Sequence, residues 1–193
     1  QYGGQQEEMA ESFASLGMAL LLALLLVYMV MAGQFESLLY PFCIMFSIPV
    51  SAIGVVLSLL ITGREFSVPA FIGLILMSGI VVNNAIVLVD YINTLKKRGL
   101  ARDDAIIQAG PVRLRPILMT ALATLFGLLP LAIGIGKGAE AQAPMATVVI
   151  GGLLVSTFLT LIIVPVVYTL FDDLGRKIIS RFRRAGDDAS IQA

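Results

Sequence analysis

Histidine is absent from these 193 residues, tryptophan is absent too, and cysteine occurs once, as Cys43. Without His there is no imidazole metal site and no His-activated nucleophile, and a lone Cys cannot build a disulfide framework within the chain. No catalytic residue and no metal-ligand set is expected, and the chain does not read as an enzyme. The phosphate-cradling pattern G-x-x-x-x-G-K-[ST] is missing as well. The run "GIGKGAE" from Gly134 lacks its spacing. Charge is scarce: 13% of residues, against about 25% in an ordinary soluble domain. The net charge is zero, which says little by itself, because what matters is where the charges fall.

What the chain has in abundance is apolar sequence. It is 58% hydrophobic, with a mean hydropathy of +0.94. A soluble domain of this length could not hide so much apolar surface. A membrane-spanning helix needs roughly 20 apolar residues. Five stretches reach that length: Phe13 to Gly33, Leu38 to Ile61, Ser67 to Leu95, Pro116 to Gly136 and Pro144 to Phe171. The expected fold is all-α, a polytopic bundle of five transmembrane helices. Residues 1–11 precede it, residues 12–175 form it, and residues 176–193 are a basic, polar tail expected to be disordered beyond Arg184. The connection 96–115 reads as an amphipathic surface helix, with Ala101, Ala105, Ile106 and Ala109 at helical spacing and Gly110-Pro111 as punctuation.

Lys and Arg set the expected direction. Lys96, Lys97, Arg98, Arg102, Arg113 and Arg115 follow span three. Arg176, Lys177, Arg181, Arg183 and Arg184 follow span five. With five spans both groups share one side, and the other side keeps Arg64 and Lys137. The N-terminus is therefore expected outside and the C-terminus inside. A start at Gln1, outside, with no Met and no basic leader, reads as a piece of a longer chain.

Small residues mark where helices can meet, because lipid gives them no hydrophobic reason to associate. Ser47, Ser51, Gly54 and Ser58 form one stripe, Thr120, Ala123, Thr124 and Gly127 another, and Gly151, Gly152 and Ser156 a third. Pro49, Pro130 and Pro165 lie inside spans and are expected to kink them. The polar residues of span three stand out most. An unpaired polar group in hydrocarbon costs several kcal/mol, so Asn83 and Asn84 must face the bundle or a wet cavity. They read either as hydrogen-bonding glue between helices or as part of an ion or proton path. Asp90 shares Asn83's face, seven residues on, and lies near the inner boundary, where it can pair or reach water. Arg113, at the entrance to span four, and Thr120 within it are likewise seven apart and face one way. Arg113 reads as an inside anchor or as a fixed cation facing the polar helix. No carboxylate stands centrally in any span to complete such a pair.

The runs "GIVVNNAIVLVDYINTLKKRG", "GPVRLRPILMTALATLFGLLPLAIG" and "GGLLVSTFLTLIIVPVVYTL" resemble the last third of a resistance-nodulation-division (RND) efflux pump of the hydrophobe/amphiphile, acriflavine-resistance-like type. The likeness extends from about Ser12 to Arg176. "RLRPILMT" followed by "GLLPL" is its most specific part, and "QFES" after span one fits too. The resemblance implies helices eight to twelve of a chain of two similar halves, with residues 1–11 as the end of a periplasmic insertion. It also implies a multi-pass protein of the bacterial inner membrane, driven by the proton-motive force with no cofactor. Its partners would be the rest of the same chain, two further copies in a homotrimer, membrane lipids and, in a Gram-negative cell, a periplasmic adaptor and an outer-membrane channel. No nucleic-acid partner is implied. The relay positions it points to are Asn83, Arg113 and Thr120, with Asn84 beside them. An acidic pair in the first half would take up the protons.

One departure from the pattern is visible. Many members carry Lys then Asn where this chain has Asn83-Asn84, and an amide can hydrogen-bond to an acidic pair but cannot neutralise it. The amide pair also stands against the heavy-metal branch, whose equivalent helix carries a carboxylate. The alternatives are a lipid exporter or protein-translocation accessory of the same superfamily, and a passive scaffold or the permease half of another transporter.

Overall fold

The computed structural model describes residues 2–191, with side chains described for 7–160 and 162–171. Six helices follow in order: α1 (Tyr2–Phe35), α2 (Leu39–Met45), α3 (Ser47–Thr62), α4 (Val68–Lys97), α5 (Arg102–Ile133) and α6 (Ala139–Ile191). No strand occurs among the described residues. Five helical stretches are long and apolar enough to cross a membrane, the second made of α2 and α3 together. The expected all-α, five-span architecture is therefore present.

The details differ from the expected spans in three places. The second span is interrupted at Phe46, between α2 and α3. The cause lies at Pro49, whose ring excludes the carbonyl four residues earlier. That residue is Met45, the last of α2, so Pro49 ends up in the first turn of α3, where proline is tolerated. The second difference is in the connection 96–115. It is not a separate surface helix: from Arg102 it runs without a break into the fourth span, through Gly110, Pro111 and Pro116. Ala105 and Ala109 are buried there, with Ile106 packed beside them, against Leu95 and Ile92 of α4 and Tyr168 of α6. This docking holds the helix across its prolines, and the carbonyl freed by Pro111 belongs to Ile107, which is exposed.

Pro130 and Pro165 lie inside α5 and α6, as expected. The remaining difference concerns the tail. The tail expected to be disordered beyond Arg184 continues α6 as helix to Ile191. Left-handed glycines end two of the helices, Gly63 after α3 (φ 63°) and Gly134 after α5 (φ 83°), a conformation that side chains with a Cβ resist.

α6 is the hub, packed against α3, α4 and α5. Its approach to α3 is close enough to exclude side chains. A Cβ on Gly54 would lie 2.5 Å from the Gly151 carbonyl oxygen. Facing α4, a Cβ on Gly73 would lie 2.6 Å from the Met145 carbonyl oxygen, and Gly152 gives room to the Met77 thioether. Ser47, Ser51 and Gly54 are buried, as the first small-residue stripe requires. α1 is different: in its most apolar stretch no residue is buried. Its attachments include Phe13, stacked on Phe66 and edge-on to Phe71, and Met31, which is 2% exposed in the main core.

Candidate functional site

α4 and α5 carry the four residues singled out by the sequence, and the fold sends them in different directions. Along α4 the exposed positions include Ile72, Leu76, Gly79, Asn83 and Asp90. These repeat at three, four and seven residues, so they form one stripe. Asn83 sits in the middle of it. Asn84, about 100° round the helix, turns inward. It lines a narrow cavity with Ile117 of α5 and Ser156, Thr157 and Thr160 of α6. The two hydroxyls of Ser156 and Thr157 donate to the Leu153 carbonyl, at 3.1 and 2.6 Å. The Thr160 hydroxyl, in a residue only 6% exposed, has no protein partner.

On α5, Thr120 is exposed and its hydroxyl donates to the Ile117 carbonyl at 3.0 Å. Arg113, two turns away, is half-buried. Its guanidinium carbon lies 4.6 Å from the centre of the Tyr91 ring, a cation–π contact, while its Nε–H is buried without a hydrogen-bond acceptor. No hydrogen bond joins any two of Asn83, Asn84, Arg113 and Thr120 among the described residues. The fold thus leaves Asn83 and Thr120 on outward-facing surfaces of neighbouring helices, steers Arg113 over an aromatic ring, and gives Asn84 to an internal polar notch.

The small-residue stripe around Thr120 is open too. Ala123 and Gly127 are exposed, and nothing lies within 4 Å of a Cβ placed on Gly127. The expectation that this stripe packs inside the bundle is not met by the helices of this chain.

Two polar clasps escaped the sequence reading. Arg64, in the α3–α4 connection, donates from Nη1 to the Ala143 carbonyl (2.9 Å) and to Thr147 Oγ1, and from Nη2 to the Ala132 carbonyl (2.7 Å). It ties the end of α5 to the start of α6. At the opposite end, Lys96 Nζ donates to the Tyr168 hydroxyl (3.1 Å), which donates to Asn93 Oδ1 (2.7 Å). Tyr40 stacks on Tyr168 at 5.4 Å between ring centres. Asp90 lies beside this clasp, exposed, in a polar pocket of about 400 Å3 with Glu36, Asn93 and Lys97. Paired clasps of this kind leave little trace in sequence, since the partners are backbone carbonyls or residues more than 60 positions away.

A sequence model of the AcrB/AcrD/AcrF family matches residues 1–172. The swarming motility protein SwrC of Bacillus subtilis (strain 168) is 43% identical over 183 residues, which is 94% of this chain and 17% of that protein. Two crystal forms of a heavy metal efflux pump are similar in structure, with TM-scores of 0.78 and 0.76 and identities of 32% and 31%. Each covers 88% of this chain, and the chain covers 16% of each. The chain therefore spans about a sixth of the length of these relatives. The expected separation from the heavy-metal branch gains no support from these likenesses. With five membrane-capable helices and a match over nearly all of its described length, this chain is multi-pass membrane sequence and belongs to the AcrB/AcrD/AcrF family, within the RND superfamily.

Proposed function

We propose that this chain is the C-terminal membrane part of an RND efflux pump that exports drugs or other amphiphilic compounds in exchange for protons, as a homotrimer in the bacterial inner membrane. The N-terminus lies on the periplasmic side in this reading, and the Lys/Arg-rich end of the bundle lies in the cytoplasm. The observation that carries the proposal is the open face of α4 and α5. Asn83 and Thr120 stand exposed at the depth of apolar spans; the Thr120 hydroxyl is satisfied by the Ile117 carbonyl, but lipid contact would leave the Asn83 amide without hydrogen bonds. A face of this kind requires a polar partner, and the first half of such a pump would supply one bearing the acidic pair.

Arg113 is the fixed cation in this scheme. Its guanidinium is a fixed positive charge, held over the Tyr91 ring with its Nε–H buried and unpaired. When the acidic pair is ionised, Arg113 holds it by charge, and Asn83 and Thr120 hold it by hydrogen bonds. When a proton neutralises the pair, that attraction weakens and the two halves can shift. In the complete protein, Arg113→Ala should abolish export while expression and trimer assembly persist. Normal export by that variant would remove Arg113 from the relay.

A metal ion is the second cargo worth testing, because the solved structures similar to this chain are of a heavy metal efflux pump. Transport by the complete protein in inverted vesicles separates the readings: a fluorescent amphiphile and a metal-sensitive dye each report one cargo. An uncoupler should stop either flux if protons drive it.

A further inference from the structure

Away from the open α4–α5 face, α3, α5 and α6 enclose a groove of about 410 Å3. Its walls are Leu57 and Ile61 of α3 and Leu129 and Ile133 of α5, and its floor is Gly151 and Leu154 of α6. The floor can lie so deep because Gly54 and Gly151 bring α3 and α6 nearly into backbone contact. Leu129 is nine residues from Thr120, which places it about 180° round α5. The groove therefore opens on the side opposite the face that awaits a polar partner. Its wall residues Ile61 and Ile133 are 83% and 65% exposed and Leu154 on its floor is 43% exposed, at the depth of membrane spans.

Arg64 stands at one end of this groove. Three of its five N–H bonds hold Ala132, Ala143 and Thr147, which leaves two N–H donors and a full positive charge. No carboxylate among the described residues pairs with it, and the exposed Glu65 next to it makes no ion pair. From the guanidinium's anchor at Thr147 to Val155 at the far end is eight residues of helix, about 12 Å, close to the depth of one leaflet. An apolar trough one leaflet deep, capped by an unneutralised cation at the Arg64 end of the bundle, matches an amphiphile with an anionic head.

We propose that this groove is a binding site for an anionic phospholipid, with an acyl chain between α3 and α5 and the phosphate on Arg64. The site is separate from the proton-relay reading and does not depend on it. Bound lipid completes the wall that α3, α5 and α6 leave open and gives the Arg64 charge its counter-ion.

Native mass spectrometry of the complete protein, incubated with phosphatidylglycerol or with phosphatidylcholine, tests this. The wild type should retain phosphatidylglycerol in preference. Leu154→Trp, which fills the trough from an already exposed position, should release one lipid per subunit with the assembly intact. Arg64→Gln should cut the preference for phosphatidylglycerol about tenfold, the worth of one charge-assisted hydrogen bond. Unchanged retention by Leu154→Trp overturns the proposal, and that variant decides the matter even if Arg64→Gln does not assemble. A structure of the complete protein with another segment of its own chain seated in the groove would overturn it too.

Discussion

Two stripes of small residues, alike in composition, have opposite fates in this chain. Ser47, Ser51 and Gly54 on α3 are buried, and Gly54 lies so close to α6 that it could not carry a methyl group. Thr120, Ala123 and Gly127 on α5 are exposed, with open space beside Gly127. Small residues permit close approach between helices in a membrane, but they do not name the partner. The first stripe finds its partner within the chain. The second carries Thr120 and finds no partner among the described residues of this chain.

The comparison breaks most severely at Gly54. Gly54→Leu would drive four carbons into the Gly151 backbone, which has nowhere to go, and should cost about 3 kcal/mol or more. In the complete protein this should appear as a large fall in the melting midpoint and loss of assembled material. A tolerated Leu would mean that the α3–α6 approach is looser than described. Next comes the clasp on the closed side of α4. Tyr168→Phe removes a donor to Asn93 and an acceptor for Lys96. With the ring and its stacking on Tyr40 retained, it should cost about 1–2 kcal/mol by thermal unfolding. The smallest effect is expected at Gly127. Gly127→Ala should shift stability by about 0.5 kcal/mol or less. A loss as large as that of Gly54→Leu would show that the rest of the protein presses on α5 as hard as α6 presses on α3.

The five spans were legible because long apolar runs punctuated by charge are a strong signal, and the buried face of α3 followed from residue spacing alone. The break at Phe46 was less accessible. Pro49 marks the region, but whether a proline bends or interrupts a helix depends on whether the carbonyls around it find other partners. The continuity of α5 through Gly110-Pro111 was missed for a related reason: Ala105 and Ala109 pin the helix to α4 and α6, a tertiary contact that outweighs local punctuation. Arg64 was read as a topology marker, because nothing in its neighbourhood of sequence points to carbonyls on α5 and α6. Among the candidate residues, the common face of Asn83 and Asp90 follows from their spacing, and both are exposed. The inward turn of Asn84 needed the position of α6, since only the hydroxyls of Ser156, Thr157 and Thr160 make that side polar.

Asn83 and Asn84 are consecutive residues on an unbroken helix, one facing outward and the other toward α6. A rigid shaft cannot turn one of them and leave the other still. Any rotation of α4 that carries Asn83 toward or away from an outside partner also drags Asn84 along the threonines of α6, in the manner of two cams on one axle. The helix thereby links events on its open side to the packing of the hub, with no need for a chain of intermediaries between them.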